Sequence, residues 1–88
     1  MVERTITVIN SLGIHARPAS LIVQTAGRFR SDIQIVKDGI VADAKSIMNV
    51  MMLAAAYNTT ITIRCDGEDE AGAADAVVRL FENKFNEE

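Results

Sequence analysis

The only histidine and the only proline of the chain, His15 and Pro18, both stand in the stretch NSLGIHARPAS at 10–20. Arg17 lies two residues beyond the histidine. A neutral imidazole nitrogen is a good nucleophile toward phosphorus near pH 7. A helix that begins just after it would offer unpaired backbone N–H groups and the positive end of a dipole, which together bind oxyanions. Arg17 can add a charge-assisted contact to the same anion. Gly13 lets the preceding loop turn tightly, so that the ring sits over the helix mouth. The pattern suits a histidine that receives a phosphoryl group and passes it on. The plain alternative is a histidine that caps a helix or rests on the surface.

Other chemistries lack their residues. No second histidine and no nearby cysteine completes a metal site. No serine is set in a strained elbow, and neither a Walker-type phosphate loop nor a nucleotide signature occurs. A hydrolase using His15 as general base would lack a partnering acid or nucleophile. No metal and no cofactor is therefore expected, and the chain reads as a carrier rather than an independent enzyme. Ser46 is the second candidate. It can be a helix N-cap with no further role, or a phosphorylation site where a dianion meets a helix N-terminus.

The elements that must position these residues follow from periodicity. Residues 2–9 alternate, with Ile6 and Val8 inward, and predict a strand. Ala19, Ile22, Val23 and Ala26 share one face of a helix from residue 16, with Gly27 as its stop. Pro18 costs little in the first turn, but disfavours helical geometry at Arg17 and would delay the helix by a residue or two. Residues 31–37 alternate around Ile33 and Ile35, Asp38-Gly39 signals a hairpin, and 40–43 return. A second helix is predicted over 46–56, ended at Tyr57-Asn58, with Val50, Leu53 and Ala54 as its core side. A strand at 59–65 buries Ile61, Ile63 and Cys65, and a last helix runs from 69 to 84 with Ala74, Val77, Val78, Phe81 and Phe85 inward. The order βαββαβα predicts an α+β domain: a four-stranded, mostly antiparallel sheet with three helices on one face.

The second helix leaves Ile47, Met48, Met51 and Met52 over its remaining surface. A helix apolar all round is either fully buried or serves a partner, and methionine suits a surface that fits several partners. The other reading packs some of these residues under loops.

With 88 residues and 49% hydrophobic content, one domain over 1–88 is expected. No apolar run approaches the roughly 18 residues of a membrane span, and MVERTITV does not read as a signal peptide. A single cysteine fits a reducing compartment, so a cytoplasmic protein is expected. The net charge of −3 argues against nucleic-acid binding. Four of the six arginines, Arg4, Arg17, Arg28 and Arg30, fall early, which suits an anionic ligand or acidic partner, or simply a solvated surface.

LGIHARPAS at 12–20 followed by KSIMNVMML at 45–53 resembles the HPr family of phosphocarriers from the bacterial sugar phosphotransferase system, over nearly the whole chain. The resemblance implies the HPr-like open-faced β-sandwich. It implies that His15 accepts a phosphoryl group on Nδ1 from phosphorylated enzyme I and donates it to enzyme IIA domains, with Arg17 neutralising the phosphoryl in transit. Ser46 matches the position phosphorylated by an ATP-dependent HPr kinase/phosphorylase in regulatory members, where the phosphorylated form can engage a transcriptional regulator. A regulatory binding module controlled through Ser46 is thus the alternative function. Ala16, Ser20, Gln24, Ile47, Met48, Met51 and Ala54 match the partner-binding surface, and a monomer is expected. The tail LFENKFNEE looks like the nitrogen-related branch and the KSIM segment like the sugar branch. Members often carry glycine or lysine where Asn49 stands and glycine at Ala54.

Overall fold

Alternating apolar residues build four strands, β1 (Val2–Thr7), β2 (Asp32–Lys37), β3 (Ile40–Asp43) and β4 (Thr60–Asp66). The computed structural model describes residues 1–86. Glu87 and Glu88, the end of the tail compared with the nitrogen-related branch, lie outside the described residues. The strands form one sheet in the order β1-β4-β2-β3, antiparallel throughout. Register sets Ile6 opposite Ile61, Ile35 opposite Ile63 and Ile33 opposite Cys65. Ile33, Ile35, Ile61, Ile63 and Cys65 are all buried beneath α1 (Ala16–Ala26), α2 (Ile47–Met52) and α3 (Glu70–Glu82). The α+β two-layer arrangement expected from the sequence is the one observed. The hairpin also holds: Asp38 and Gly39 have φ of 50° and 80°, the left-handed pair that matches strand twist.

The helices depart from expectation in three places. α1 begins at Ala16, directly after His15, so Pro18 does not delay it. Pro18 is the third helical residue, where no intrahelical N–H is needed, and the Ala19 amide closes the first turn on the His15 carbonyl at 3.0 Å. α2 stops at Met52 rather than near residue 56, and Ala54 already has φ 51°. The Val50 and Met51 carbonyls accept tighter i+3 bonds from the Leu53 and Ala54 amides, and the carbonyls just beyond the helix are taken from outside. The Lys37 ammonium bonds the Leu53 and Ala54 carbonyls, and the Ile14 amide bonds Ala55. Asn58, with φ 71°, turns the chain toward β4 instead of ending the helix. Val50 and Leu53 are buried as expected, but Ala54 is exposed and Ala55 takes the inner position.

α3 ends at Glu82, and Lys84, Phe85 and Asn86 then have φ of 52°, 53° and 60°. Consecutive left-handed residues cost about 1–2 kcal/mol each. Burial of Phe85 offsets this, its ring meeting Phe81 edge to face at 4.8 Å between centroids.

Asp69 precedes α3, yet its carboxylate serves another segment. It accepts from the Ser31 hydroxyl and from the Arg30 and Ser31 amides, fixing the entry to β2. The Ser31 hydroxyl, followed by those amides, holds its pKa at about 2 against an ordinary 3.8. A depressed pKa adds stability above the unfolded value that is lost as pH falls through the folded one. Asp69→Asn should therefore lower the urea midpoint at neutral pH. The gap to the parent should be constant above the carboxylate range and close between pH 3.8 and about 2.

Candidate functional site

His15 is the N-cap residue of α1, with extended backbone angles of φ −106° and ψ −165°. Its carbonyl accepts the first helical bond, but its ring makes no capping bond. The ring is thus not committed to the helix-capping role that the plain reading gave it. The Ala16 and Arg17 amides open the helix without intrahelical acceptors, and Pro18 has no amide hydrogen to contribute. The mouth of the helix and the imidazole, which is half-exposed, therefore share one end of α1.

Two loops fix that end. Asn10 is fully buried and its Nδ2 donates to the Gly13 carbonyl at 2.7 Å. The Ile14 amide donates to the Ala55 carbonyl at 2.8 Å. Gly13 has φ 67°, and a Cβ there would stand 2.6 Å from the Ala55 oxygen. Only glycine satisfies both the angle and the approach. The neighbouring Val8 carbonyl accepts from Asn58 at 2.7 Å, so the 8–14 and 54–59 segments are laced together.

Arg17 is exposed, but its guanidinium is not pendant in solvent: Nη1 donates to the Phe85 carbonyl at 2.8 Å. That bond uses one of five guanidinium donors. Ser46 is the N-cap of α2, its hydroxyl accepting from the Asn49 amide at 3.3 Å and from Asn49 Nδ2 at 3.1 Å. The capping geometry accounts for serine at that position. Asn49 adds a side-chain bond that glycine would lack.

Ala16 and Gln24 are exposed on α1 with Ser20 half-exposed between them, and Gln24 Nε2 bonds Ser20 Oγ at 3.2 Å. On α2, Ile47, Met48 and Met51 are exposed, as is Met52 at 74%. They do not pack under loops. α1 and α2 pack side by side, so the helices that carry both groups are neighbours. Sequence periodicity did not single out Leu12, which is 73% exposed in the loop before His15, nor exposed Tyr57 in the laced segment. An apolar residue between Ser11 and Gly13, in a turn that needs none, was the available signal.

Cys65 is buried in the sheet and burial pushes its thiol up, away from nucleophilic use. Among the described residues no group of three His, Cys, Asp or Glu side chains is placed to hold a metal ion. No helix of the described residues is long and apolar enough to cross a membrane.

The close approach at Gly13 generates a direct expectation. Gly13→Ala should separate the loop from Ala55, break the Ile14 bond and destabilise the fold by about 2 kcal/mol or more. Urea denaturation would measure the loss, and amide exchange at Ile14 would place it.

Comparison with known proteins gives a consistent result. The family model described as PTS HPr component phosphorylation site matches residues 2–83. The phosphocarrier protein HPr of Treponema pallidum is 51% identical over 88 residues, all of both chains. The crystal structure of HPr from Thermoanaerobacter tengcongensis superposes with a TM-score of 0.96 at 45% identity, covering 100% of this chain and 99% of that one. A second structure from that organism, described as an HPr dimer, gives 0.78 at 45% identity over 97% and 98% of the two chains. The chain therefore belongs to the HPr phosphocarrier family of the phosphotransferase system.

Proposed function

We propose that this protein is a histidine phosphocarrier. His15 takes a phosphoryl group from phosphorylated enzyme I on Nδ1 and gives it to enzyme IIA domains. The observation that carries the reading is the placement of a half-exposed, non-capping imidazole at the open end of α1, in a chain that belongs to this family. The ring nitrogen lone pair forms the new P–N bond as the donor's bond to phosphorus breaks, and the donor keeps that electron pair. Charge on the phosphoryl oxygens is met by the Ala16 and Arg17 amides and the helix dipole. Each transfer is positioning and electrostatics. The protein need only hold the acceptor, and the partner supplies the rest of the catalytic site.

Arg17 neutralises the phosphoryl in transit. Its bond to a neutral carbonyl, Phe85, is exchanged for charge-assisted bonds to phosphoryl oxygens, which are roughly twice as strong. The exposed faces of α1 and α2, with Ala16, Ser20, Gln24, Ile47, Met48, Met51 and Ala54, form the docking surface. The protein acts in the cytoplasm. Since one of its solved relatives is described as a dimer, the monomer expected here is a separate question for sedimentation.

Ser46 keeps a second reading open, because its hydroxyl stands at a helix N-terminus beside the same apolar face. Phosphorylation there would set a dianion on the docking surface and repel an acidic partner. The presence of His15 favours carriage over a purely regulatory module, which has no use for an acceptor ring.

Incubation with enzyme I and phosphoenolpyruvate should add one acid-labile, base-stable phosphate, and His15→Ala should abolish it. Equal labelling of that variant would overturn the reading. Arg17→Ala should slow transfer at saturating enzyme I by about a hundredfold, with the half-saturating concentration changed far less. Stopped-flow transfer measured over a range of enzyme I concentrations separates the two effects.

A further inference from the structure

We propose that Lys37 is a positioning residue for His15, acting as a clamp on the C-terminal end of α2. Lys37 is the last residue of β2 and is half-buried. Its ammonium donates to the Leu53 carbonyl at 3.0 Å and to the Ala54 carbonyl at 3.3 Å. Leu53 is the C-cap of α2 and Ala54 the residue after it, so the ammonium stands at the negative end of the helix, where a cation is favoured. α2 has only six residues; its Val50 and Met51 carbonyls accept from the Leu53 and Ala54 amides, and the carbonyls of Leu53 and Ala54 themselves are the ones that meet the lysine.

The clamped segment is strained. Ala54 has φ 51°, a conformation that glycine adopts without steric cost and alanine does not. The next carbonyl, Ala55, accepts the Ile14 amide, and Ile14 precedes His15. Gly13 packs so closely on Ala55 and Ala56 that a shift in their backbone moves the loop with it. Carbonyls 53, 54 and 55 therefore join the Lys37 ammonium to the backbone beside the imidazole. The left-handed Ala54 is the weak link, and the lysine holds it. Phosphoryl transfer is steeply sensitive to placement, since about 1 Å of error can cost a hundredfold.

The consequence for transfer rests on the phosphocarrier reading; the clamp itself does not. Lys37→Met keeps most of the apolar stem and removes the charge and donors. Lys37→Arg keeps both. Ala54→Gly removes the steric penalty of the left-handed angle. Two readouts are needed: hydrogen exchange at the Ile14 amide relative to central amides of β4, and transfer from enzyme I over a range of its concentration. Lys37→Met should raise Ile14 exchange about tenfold more than that of β4. It should lower the saturated transfer rate about tenfold, with the half-saturating concentration within about twofold. Lys37→Arg should stay within about twofold of the parent in both readouts, and Ala54→Gly added to Lys37→Met should bring Ile14 exchange back toward the parent. Ile14 exchange that rises no more than β4 exchange would overturn the clamp. Loss of function in Lys37→Arg equal to that in Lys37→Met would do the same. If the parent accepts no phosphoryl group, the phosphocarrier reading fails while the exchange comparison still decides the clamp.

Discussion

One hydrogen bond, from the Ile14 amide to the Ala55 carbonyl, joins the two halves of the candidate site. It lies one residue before His15 and just past the end of α2. Around it everything is tight: Gly13 packs against Ala55 and Ala56 at distances that exclude a side chain, and Asn10 is buried to hold Gly13. A backbone bond in such a place does two jobs. It satisfies a donor and an acceptor that burial would otherwise leave costly, and it makes the start of α1 and the exit of α2 one rigid piece. The imidazole at the start of α1 and the apolar face on α2 are thereby held in a fixed relation.

The brevity of α2 follows from that arrangement. A short helix cannot stand on propensity alone. Val50 and Leu53 anchor it in the core, Ser46 and Asn49 cap one end, and Lys37 caps the other. What remains is an outward face of isoleucine and methionine that the fold does not use. Large exposed apolar side chains are disfavoured in water unless a partner covers them. Arg17 shows the same logic in polar form. It is anchored to Phe85, whose left-handed turn is stabilised by a buried aromatic pair. The proposed recruitment of this guanidinium to a phosphoryl group would trade that bond for charge-assisted ones.

Much of this was legible in the sequence, for physical reasons that can be named. Period-two alternation with β-branched residues placed four strands, and Asp38-Gly39 placed the hairpin because both residues tolerate left-handed angles. His15 at a helix mouth followed from where the period changed. Three features were not legible because they depend on contacts distant in sequence. The end of α2 was set by Lys37 and Ile14 reaching carbonyls from elsewhere, not by Tyr57-Asn58. Asp69 looked like a helix start but bonds Ser31, thirty-eight positions away. Arg17 finds Phe85, a residue that periodicity assigned only to the core. Pro18 erred in the opposite sense: its local steric rule was overridden by a first turn that closes on the His15 carbonyl.

The central claim is that the imidazole of His15 is the group that carries phosphate. Phosphorus–proton correlation NMR of the protein after incubation with enzyme I and phosphoenolpyruvate addresses it most directly, because it reports the bonded atom in the intact fold. The account predicts one phosphohistidine resonance, correlated with the His15 ring protons in the pattern of Nδ1 substitution. A phosphoserine resonance from Ser46 alone, or no protein-bound phosphorus signal, would contradict it.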